Sequence, residues 1–404
     1  MRLAALFCLR FALLVAEVVS LPILVILAII SRVWPKKVDI GLGPEPLINN
    51  VYHKRALEKF GYKTETFVDH LYFITQEFDW CFASRGRFET LALLAVRGVF
   101  VFSLFQYRAL YVYFNGGPLF NSLFLWRLEP FLYILAGVKI VVMPYGGDVQ
   151  EMTRSNNLSF KHAMSVDYPG HRFRRTRIAK RIDLWTRYAS HVIGGCEWVD
   201  YMYHWDTLML AHFSIDLEVQ KLHEVEAGTS SSHQILRVLH APNHRAIKGT
   251  DYITKAVREI QAQGLEIELV LLERRPNHEV LEAIAQCDVV VDQLIIGWYA
   301  MFAIEGMAMG KPVVCNLRPD LVDLYVTENL LLEDEIPLIH ATPRTIKDVL
   351  LWCIKNRDKL KDIGMRGPQY VRRHHSIEAV GAVFNRINRS IGLVPSLKTE
   401  AVSK

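Results

Sequence analysis

The sequence predicts an α/β protein with two Rossmann-like domains, each built on an open and mostly parallel sheet, preceded by one apolar helix. Short apolar strands alternate with amphipathic helices through most of the 404 residues, and this alternation is typical of parallel sheets covered by helices. A polar stretch at 224–234 interrupts the alternation before it resumes. Because such a stretch is typical of a linker, it indicates a boundary between two domains.

The first element is an apolar segment at 11–30, which is about as long as a helix that crosses a bilayer. Its one acid is Glu17. A charge at mid-span costs about 2.5–3.5 kcal/mol on insertion scales, so this carboxylate should be paired, protonated or shallow. A tryptophan, a proline and two lysines follow instead of a small-residue cleavage pattern. We therefore predict a single-pass anchor at 1–34, with a cleaved signal peptide as the alternative.

The flanking charges and the cysteines indicate the compartment. Basic residues after the apolar segment slightly outnumber those before it, which favours a cytoplasmic body. The six cysteines are scattered without paired or metal-type spacing, as expected in a reducing compartment. No cluster of histidines and carboxylates indicates a metal site.

A basic run at 171–181 contains no acid, although the formal net charge of the chain is only +5. It could contact nucleic acid, anionic lipid headgroups or a phosphate-linked acceptor, or it could be a solvated helix face. With an anchor upstream, we predict a membrane or a phosphate-linked acceptor as the partner and no nucleic acid.

The first domain is predicted to span 35–222. Its predicted strands lie at 38–41, 64–68, 110–114, 138–143 and 191–194, with a helix at 48–60. Two apolar stretches, at 91–105 and 119–136, are predicted as buried helices, with docking onto a bilayer as the alternative.

The second domain is predicted to span 235–376. Its predicted strands lie at 235–240, 267–272 and 289–292, and its helices at 252–263, 280–286, 344–356 and 357–371. A closing helix at 377–392 and a disordered tail at 393–404 follow.

Residues 288–315 form the most informative segment: a strand, a turn with Gly297, a short helix containing Glu305, and a second strand. Free N–H groups and the dipole at a helix N-terminus favour phosphate, and a glutamate one turn into the helix can accept hydrogen bonds from a ribose diol. The segment predicts a nucleotide diphosphate ligand. The alternative is a structural crossover with a solvated glutamate.

Two further loops follow predicted strands. The loop at 240–250 places Lys248, assisted by Arg245, where a diphosphate needs a cation, and the alternative is an exposed lysine before a helix. In the other loop, Gly41 and Gly43 begin a G-x-G-x-x-G pattern whose third glycine is replaced by Pro46. We therefore expect no NAD or FAD, although Gly43 is predicted to approach a substrate closely.

Taken together, residues 237–315 resemble the retaining GT-B glycosyltransferases of the family 4 type, the large group that includes glycogen synthases and lipid-glycosylating mannosyltransferases. The resemblance is carried by Lys248-Gly249-Thr250, an acid at the strand end at Glu273, D-V-V-V-D-Q at 288–293 and A-I-E-G-M-A-M-G-K-P-V at 303–313. It implies a GT-B fold, in which two Rossmann-like domains face each other across a cleft.

The resemblance also implies roles for individual residues. It implies that Lys248 contacts the donor diphosphate and that Glu305 contacts the ribose. The backbone at Met301 and Phe302 would contact the phosphates, and the nucleobase would lie near Glu273.

The first domain resembles the family more loosely, through a strand followed by Tyr145, Gly146, Gly147 and Asp148, where a tyrosine replaces the usual histidine. The resemblance implies that this turn faces the donor sugar and the acceptor, with Asp148 in a catalytic role. The alternative for Asp148 is a helix N-cap.

A second departure lies in the donor domain. Gly297 stands where the family commonly has a glutamate that contacts the donor sugar. Asp292, on the neighbouring strand, is predicted to reach the sugar instead.

These observations predict a membrane-anchored glycosyltransferase that moves a sugar from a nucleotide-diphosphate donor to a lipid-linked or membrane-associated glycan, with retained configuration. We expect no metal and no cofactor besides the donor. The alternative is a non-catalytic GT-B-like subunit of a membrane glycosylation complex, favoured by Gly297 and Tyr145. A sugar-nucleotide epimerase of similar architecture is a third possibility.

Overall fold

The computed structural model of the protein describes residues 2–71, 75–82, 89–218 and 235–396. The predicted linker at 224–234 and the end of the predicted tail at 397–404 lie outside the described residues.

The first domain contains a seven-stranded sheet in which every neighbouring pair of strands is parallel. Its strands are β1 Val38–Leu42, β2 Thr64–Val68, β3 Trp80–Cys81, β4 Tyr107–Tyr113, β5 Lys139–Met143, β6 His191–Gly195 and β7 Thr207–Met209. Its helices are α1 Arg2–Val33, α2 Ile48–Glu58, α3 Glu89–Gln106, α4 Glu129–Leu135, α5 Leu158–Asp167 and α6 Arg175–Tyr188. The strand order is β3-β2-β1-β4-β5-β6-β7 within the described ranges.

The second domain contains a five-stranded sheet that is also parallel throughout. Its strands, in the order β12-β11-β10-β8-β9, are β8 Leu236–His240, β9 Ile267–Leu271, β10 Val289–Val291, β11 Val313–Cys315 and β12 Leu338–His340. Its helices are α7 Arg245–Lys248, α8 Thr250–Gln261, α9 Asn277–Gln286, α10 Met301–Ala308, α11 Pro319–Thr327, α12 Ile346–Lys355 and α13 Arg357–His374, followed by α14 Ile377–Ser390.

The two predicted parallel α/β domains are confirmed. Central strands such as β1 and β10 are apolar and fully buried because helices cover both faces of each sheet. In each sheet the strand order reverses once, between β1 and β4 and between β8 and β10. Ligands of open α/β sheets bind at such reversals, beyond the carboxyl ends of the strands.

The apolar stretch at 119–136 is only partly helical. It contains two short 3-10 turns before α4, while Leu119, Leu125 and Leu132 are buried in the core of the first domain. Phe131 and Ile134 remain exposed on the outer face of α4.

Helix α14 packs back on the first domain. It lies against α2, and the side-chain oxygen of Asn388 accepts a hydrogen bond of 2.9 Å from the Tyr111 hydroxyl on β4. The predicted tail begins in contact with the same domain, since Leu393 is buried and Ser396 donates to Asp39 on β1. The described start of the tail is therefore docked rather than disordered.

Helix α1 packs against α3 and α4 along one face. Its buried positions are Glu17, Leu24, Ala28 and Ser31, which recur at helical spacing. The opposite face is apolar and exposed. Within the described part of the chain, Phe7–Val33 is the one helix long and apolar enough to cross a membrane by length and composition, with a mean hydropathy of 2.9 and 17% of its most apolar window buried.

The carboxylate of Glu17 binds three backbone N–H groups in the loop before α4. They belong to Leu123 at 2.6 Å, Phe124 at 2.8 Å and Leu125 at 3.2 Å. These donors are the free N–H groups at the start of a 3-10 turn, where a carboxylate acts as a cap. The acid expected to need a partner is therefore paired, and it attaches α1 to the first domain.

Replacing Glu17 with alanine should destabilise the protein. The change leaves three backbone donors without an acceptor, and we expect it to lower the free energy of unfolding by about 2–3 kcal/mol. Thermal unfolding in neutral detergent measures the effect. Val19→Ala, on the exposed face of the same helix, is the matched control, and equal melting temperatures for the two variants would contradict the assignment.

Candidate functional site

A cavity of about 540 Å³ lies between the two domains, at the carboxyl ends of both sheets. From the second domain it is lined by residues that follow β8 and β10, among them His244, Lys248, Gln293 and Ala300. From the first domain it is lined by residues that follow β4, β5 and β6. Both strand-order reversals therefore contribute to one cleft of a size typical of small-molecule sites.

Lys248 is fixed at this cavity by Asp292. The Lys248 ammonium lies 2.7 Å from one oxygen of the Asp292 carboxylate, and the other oxygen accepts the Ala300 N–H at 3.0 Å. The Asp292 side chain is fully buried. Both of its oxygens are thus engaged, so in this structure Asp292 positions the lysine and the turn before α10, and its predicted contact with a sugar stays a prediction.

Met301 and Phe302 are the first two residues of α10 and follow the cavity-lining Ala300. N–H groups in the first turn of a helix have no partner within the helix. These two amides follow the Ala300 N–H, which shares the Asp292 carboxylate with Lys248, and they lie at a helix start, where phosphate oxygens are commonly bound.

Glu305 lies one turn further along α10, buried behind the wall of the cavity. One of its oxygens accepts a hydrogen bond of 2.8 Å from the amide of Asn277, the first residue of α9. Burial raises the pKa of Glu305 to about 7, against the opposing effect of Asn277, and the nearby charge of Asp292 adds to the rise.

Arg245 and Glu273 pair with each other at 2.9 Å on the exposed side of the second domain. Arg245 also pairs with Asp251 at 3.2 Å. Neither partner lines the cavity. Of the two cations predicted for the diphosphate, Lys248 lines the cavity, while Arg245 is paired with carboxylates outside it.

The turn after β5 lines the cavity through Tyr145, Gly146 and Gly147, but not through Asp148. The Asp148 carboxylate is fully buried and accepts N–H groups from Phe114 at 2.9 Å and from Tyr145 and Gly146 at 3.0 Å. Burial raises its pKa to about 7. These contacts make Asp148 a residue that fixes the shape of the turn, and its predicted catalytic role is not supported by any contact with the cavity.

Gly43 also lies off the cavity. It is buried against β2, and a Cβ atom there would lie 2.0 Å from the carbonyl oxygen of Phe67. This close approach accounts for a glycine at the position without a substrate.

Gly297 has a positive φ of +96°, and the side chain of Arg318 fills the space that a side chain at this position would need. A Cβ atom would lie 2.5 Å from Cγ of Arg318. Arg318 in turn makes a bidentate ion pair with Asp200 of the first domain, at 2.6 and 3.0 Å. The glycine therefore belongs to a domain contact that the glutamate common in the family would disrupt.

Three cavity residues were missed by sequence reasoning: Glu197, Trp198 and Gln293. Burial raises the pKa of Glu197 to about 7, with a further rise from Asp200. In the described residues, Nε1 of Trp198 and Oε1 of Gln293 are buried without a hydrogen-bond partner. The signal was present, because Gln293 directly follows one predicted strand, and Glu197 and Trp198 come shortly after the end of another.

The two domains are in direct contact around the cavity. The carboxylate of Asp167, at the end of α5, accepts the N–H groups of Ala246 at 3.3 Å and Ile247 at 2.9 Å in the second domain. The amide of Asn157 donates to the carbonyl of Ile295 at 2.7 Å. Hydrogen bonds therefore join the two domains beside the cavity.

The fold and this cleft define the class of architecture: the chain has the GT-B fold.

No protein-family model and no curated protein sequence matches the chain. Among solved structures, it is similar to HepE of Anabaena in complex with UDP-glucose, with a TM-score of 0.54 and 13% identity over 87% of this chain and 99% of that one. It is also similar to sucrose-phosphate synthase of Thermosynechococcus elongatus, with a TM-score of 0.59 and 12% identity over 88% and 99% of the two chains. At such identities the similarity establishes the fold alone.

Introducing a side chain at Gly297 should destabilise the protein more than the backbone conformation at this position alone predicts. We expect Gly297→Ala to lower the free energy of unfolding by about 2–4 kcal/mol, because a positive φ and the displacement of Arg318 add together. Urea unfolding measures it. Gly264→Ala is the matched control, since Gly264 has a φ of +77° with no heavy atom within 4 Å; similar losses for both variants would contradict the role of Arg318.

Proposed function

We propose that this protein is a glycosyltransferase that uses a nucleotide-diphosphate sugar. The observation that carries the proposal is the position of Lys248 on the cavity, at one reversal of strand order, with the start of α10 at Met301 and Phe302 directly after the cavity-lining Ala300. A cation and a helix N-terminus at such a point form a diphosphate site. The GT-B fold supports it, as does the UDP-glucose bound by HepE.

The donor would lie on the second domain. Its diphosphate would accept hydrogen bonds from the α10 amides and face the Lys248 ammonium, while Glu305 would accept hydrogen bonds from the ribose. Glu273 would lie toward the nucleobase and Arg245 would assist from outside the cavity. Asp292 keeps Lys248 in place, which reduces the reorganisation needed as negative charge develops on the diphosphate.

In the proposed reaction the bond from the anomeric carbon to the diphosphate oxygen breaks, and the acceptor oxygen bonds to the same face of that carbon. The acceptor proton passes to the departing phosphate oxygen, so configuration is retained and no pair of carboxylates at glycosidase spacing is needed. Lys248 stabilises the departing charge. On the first-domain wall, Glu197, Trp198 and the turn at Gly146 and Gly147 would bind sugar hydroxyls, since these groups line the cavity.

Mutation of the donor site provides the test of this function. We expect Glu305→Ala to weaken binding of the donor about 10-fold or more, the value of a hydrogen bond to a charged group. Lys248→Ala should lower the rate of transfer or donor hydrolysis by about 100-fold. Calorimetry with UDP-, GDP- and ADP-sugars measures binding to the full chain in neutral detergent.

Two exposed residues supply matched controls for these variants. Lys255→Ala on α8 and Glu282→Ala on α9 remove the same charges from exposed positions, and both should bind donor as the unaltered protein does. If no sugar nucleotide binds, the chain is instead the non-catalytic subunit. Conversion of the donor without an acceptor would identify an epimerase.

We propose further that α1 anchors the protein in a membrane as a single pass, with the body on the cytoplasmic side. Side chains at 7–16 are mostly exposed, and they belong to the residues of α1 that precede Glu17. They number about 15, or roughly 22 Å of helix, which is less than a hydrocarbon core of about 30 Å. The surface around Leu123, Phe131 and Ile134, which is apolar and exposed, would therefore lie at the bilayer interface, and the acceptor would be lipid-linked or membrane-associated.

Charges on the exposed face of α1 should abolish membrane binding. We expect the full chain to float with liposomes in 1 M salt and the double variant Ile23→Lys, Ile26→Lys to remain at the bottom of the gradient, because lysine is costly in the hydrocarbon core. Met365→Lys, at an equally exposed apolar position of the second domain, is the control. A full chain that fails to float would refute the anchor.

A further inference from the structure

Two arginines of α6, Arg177 and Arg181, lie one helical turn apart and both line the cavity from the first-domain side. Arg181 is only 6% exposed, and Arg177 is half-buried. They lie in the basic run that the proposed donor site does not use. A third arginine, Arg174, lines the same end of the cavity at its exposed rim.

Neither guanidinium has a carboxylate within 4.0 Å among the residues that the structure describes. Their hydrogen bonds go to neutral acceptors. Arg177 donates to the carbonyls of Phe120 and Ser122, and Arg181 donates to the carbonyl of Phe120 and, at 2.7 Å, to the side-chain oxygen of Asn115. The Nε of each arginine is buried without a partner in the described structure.

Buried cations are normally paired, because removing an ion from water costs several kcal/mol. The same chain shows the usual solution at Arg318, which has a similar degree of burial and makes a bidentate ion pair with Asp200. At the Arg177 and Arg181 pair, burial lowers the pKa of Arg181 to about 10, and the charge of Arg177 lowers it further. Within the described residues, Glu129 and Glu45 act on Arg181 from beyond ion-pair distance, and the Trp126 ring lies 5.5 Å from the Arg177 guanidinium and 5.6 Å from that of Arg181. Neither arginine therefore has the direct carboxylate partner that Arg318 has.

The paired arginines are also connected to α1. They bind the carbonyls of Phe120 and Ser122, and Glu17 binds the N–H groups of Leu123 and the two residues that follow. The segment 120–125 is thus fixed at one end by the cavity arginines and at the other by the apolar helix. A ligand whose charge lay at the two arginines would therefore have α1, which is apolar, close to that charge.

This positive end is distinct from the donor wall. Lys248, on the second domain, is paired with Asp292, whereas Arg177 and Arg181 belong to the first domain and form no ion pair with any residue that the structure describes. A single cavity therefore contains two cationic positions on opposite domains. Two phosphate-bearing ligands fit this arrangement better than one.

We propose that Arg177 and Arg181 bind the phosphate that joins the acceptor glycan to its lipid. The inference rests on the proposed transferase function and specifies its acceptor as a phosphate-linked lipid. The phosphate would accept hydrogen bonds from the free Nε groups. The sugar would extend inward toward Glu197, and the lipid tail would leave past segment 120–125 toward α1.

Binding of inorganic pyrophosphate to the full chain in neutral detergent tests the site. The titration is made with the donor site first saturated with UDP, GDP or ADP, whichever binds. We expect pyrophosphate to bind the saturated protein, and Arg181→Met and Arg177→Met each to weaken it about 10-fold or more. Lys180→Met, an exposed cation on the same helix, should leave it unchanged.

Farnesyl diphosphate identifies the source of the phosphate. We expect it to bind at least about 10-fold more tightly than pyrophosphate, because its tail adds buried apolar area, and to lose that affinity in Arg181→Met. If Arg177→Met and Arg181→Met weaken binding to phosphatidylglycerol vesicles but not to farnesyl diphosphate, the arginines bind membrane headgroups and the inference is wrong.

The remaining outcomes separate this inference from the proposed function. Pyrophosphate that is displaced by the nucleotide overturns the second site, because a single anion site then belongs to the donor. Nucleotide binding without arginine-dependent pyrophosphate binding overturns the inference alone. Arginine-dependent pyrophosphate binding without any nucleotide binding supports the anion site and refutes the donor. An Arg181→Lys variant with unchanged melting temperature but weaker binding excludes a folding effect.

Discussion

The site depends on one constraint: neighbouring strands in both sheets run in the same direction. Parallel strands bring the ends of consecutive strand–helix units to one edge, so residues far apart in sequence meet there. Lys248 and Asp292 are 44 positions apart, yet they form an ion pair because β8 and β10 are adjacent. The same rule brings the turns after β4, β5 and β6 to the opposite wall.

The contacts between the two domains across the cleft pair charged side chains with partners on the opposite domain. Arg318 meets Asp200, and Asp167 caps the amides that begin α7. Each buried charge at these contacts has a partner on the other domain, and separating the domains would leave it unpaired. Arg177 and Arg181 differ because, within the described residues, their hydrogen bonds are donated to carbonyl and side-chain amide oxygens and not to carboxylates. Within one cleft, therefore, the charges paired across the two domains stabilise the structure, whereas the charges of these two arginines are available to a ligand.

The sequence was sufficient for the fold and for the position of Lys248 at the cleft. Apolar strands alternating with amphipathic helices predict the parallel sheets, since burial on both faces requires such strands. Short edge strands such as β3 and β12 were not predicted, because two or three residues carry no detectable periodicity. Side-chain pairing was also beyond the sequence. That Asp148 binds backbone amides, or that Arg245 pairs with Glu273, depends on atomic geometry that the pattern of residue types does not determine.

Gly297 is another position whose structural role could not be predicted from the sequence. Its departure from the family pattern was visible in the sequence, but the reason was not, because Arg318 is 21 positions away and its partner Asp200 lies in the other domain. In the sequence, the basic run at 171–181 is a single feature. The structure separates its exposed basic residues from Arg177 and Arg181, which are more buried and line the cavity.

The docking of α14 on the first domain has a consequence for biosynthesis. Tyr111 on β4 and Asp39 on β1 make hydrogen bonds to Asn388 and Ser396, near the end of the described chain. The first domain therefore lacks part of its covering layer until the last segment has been translated. At about 5–20 residues per second, some 180 intervening residues correspond to about 9–36 s. During that interval the nascent domain exposes the apolar surface that α14 later covers, which makes it a natural client for ribosome-associated chaperones.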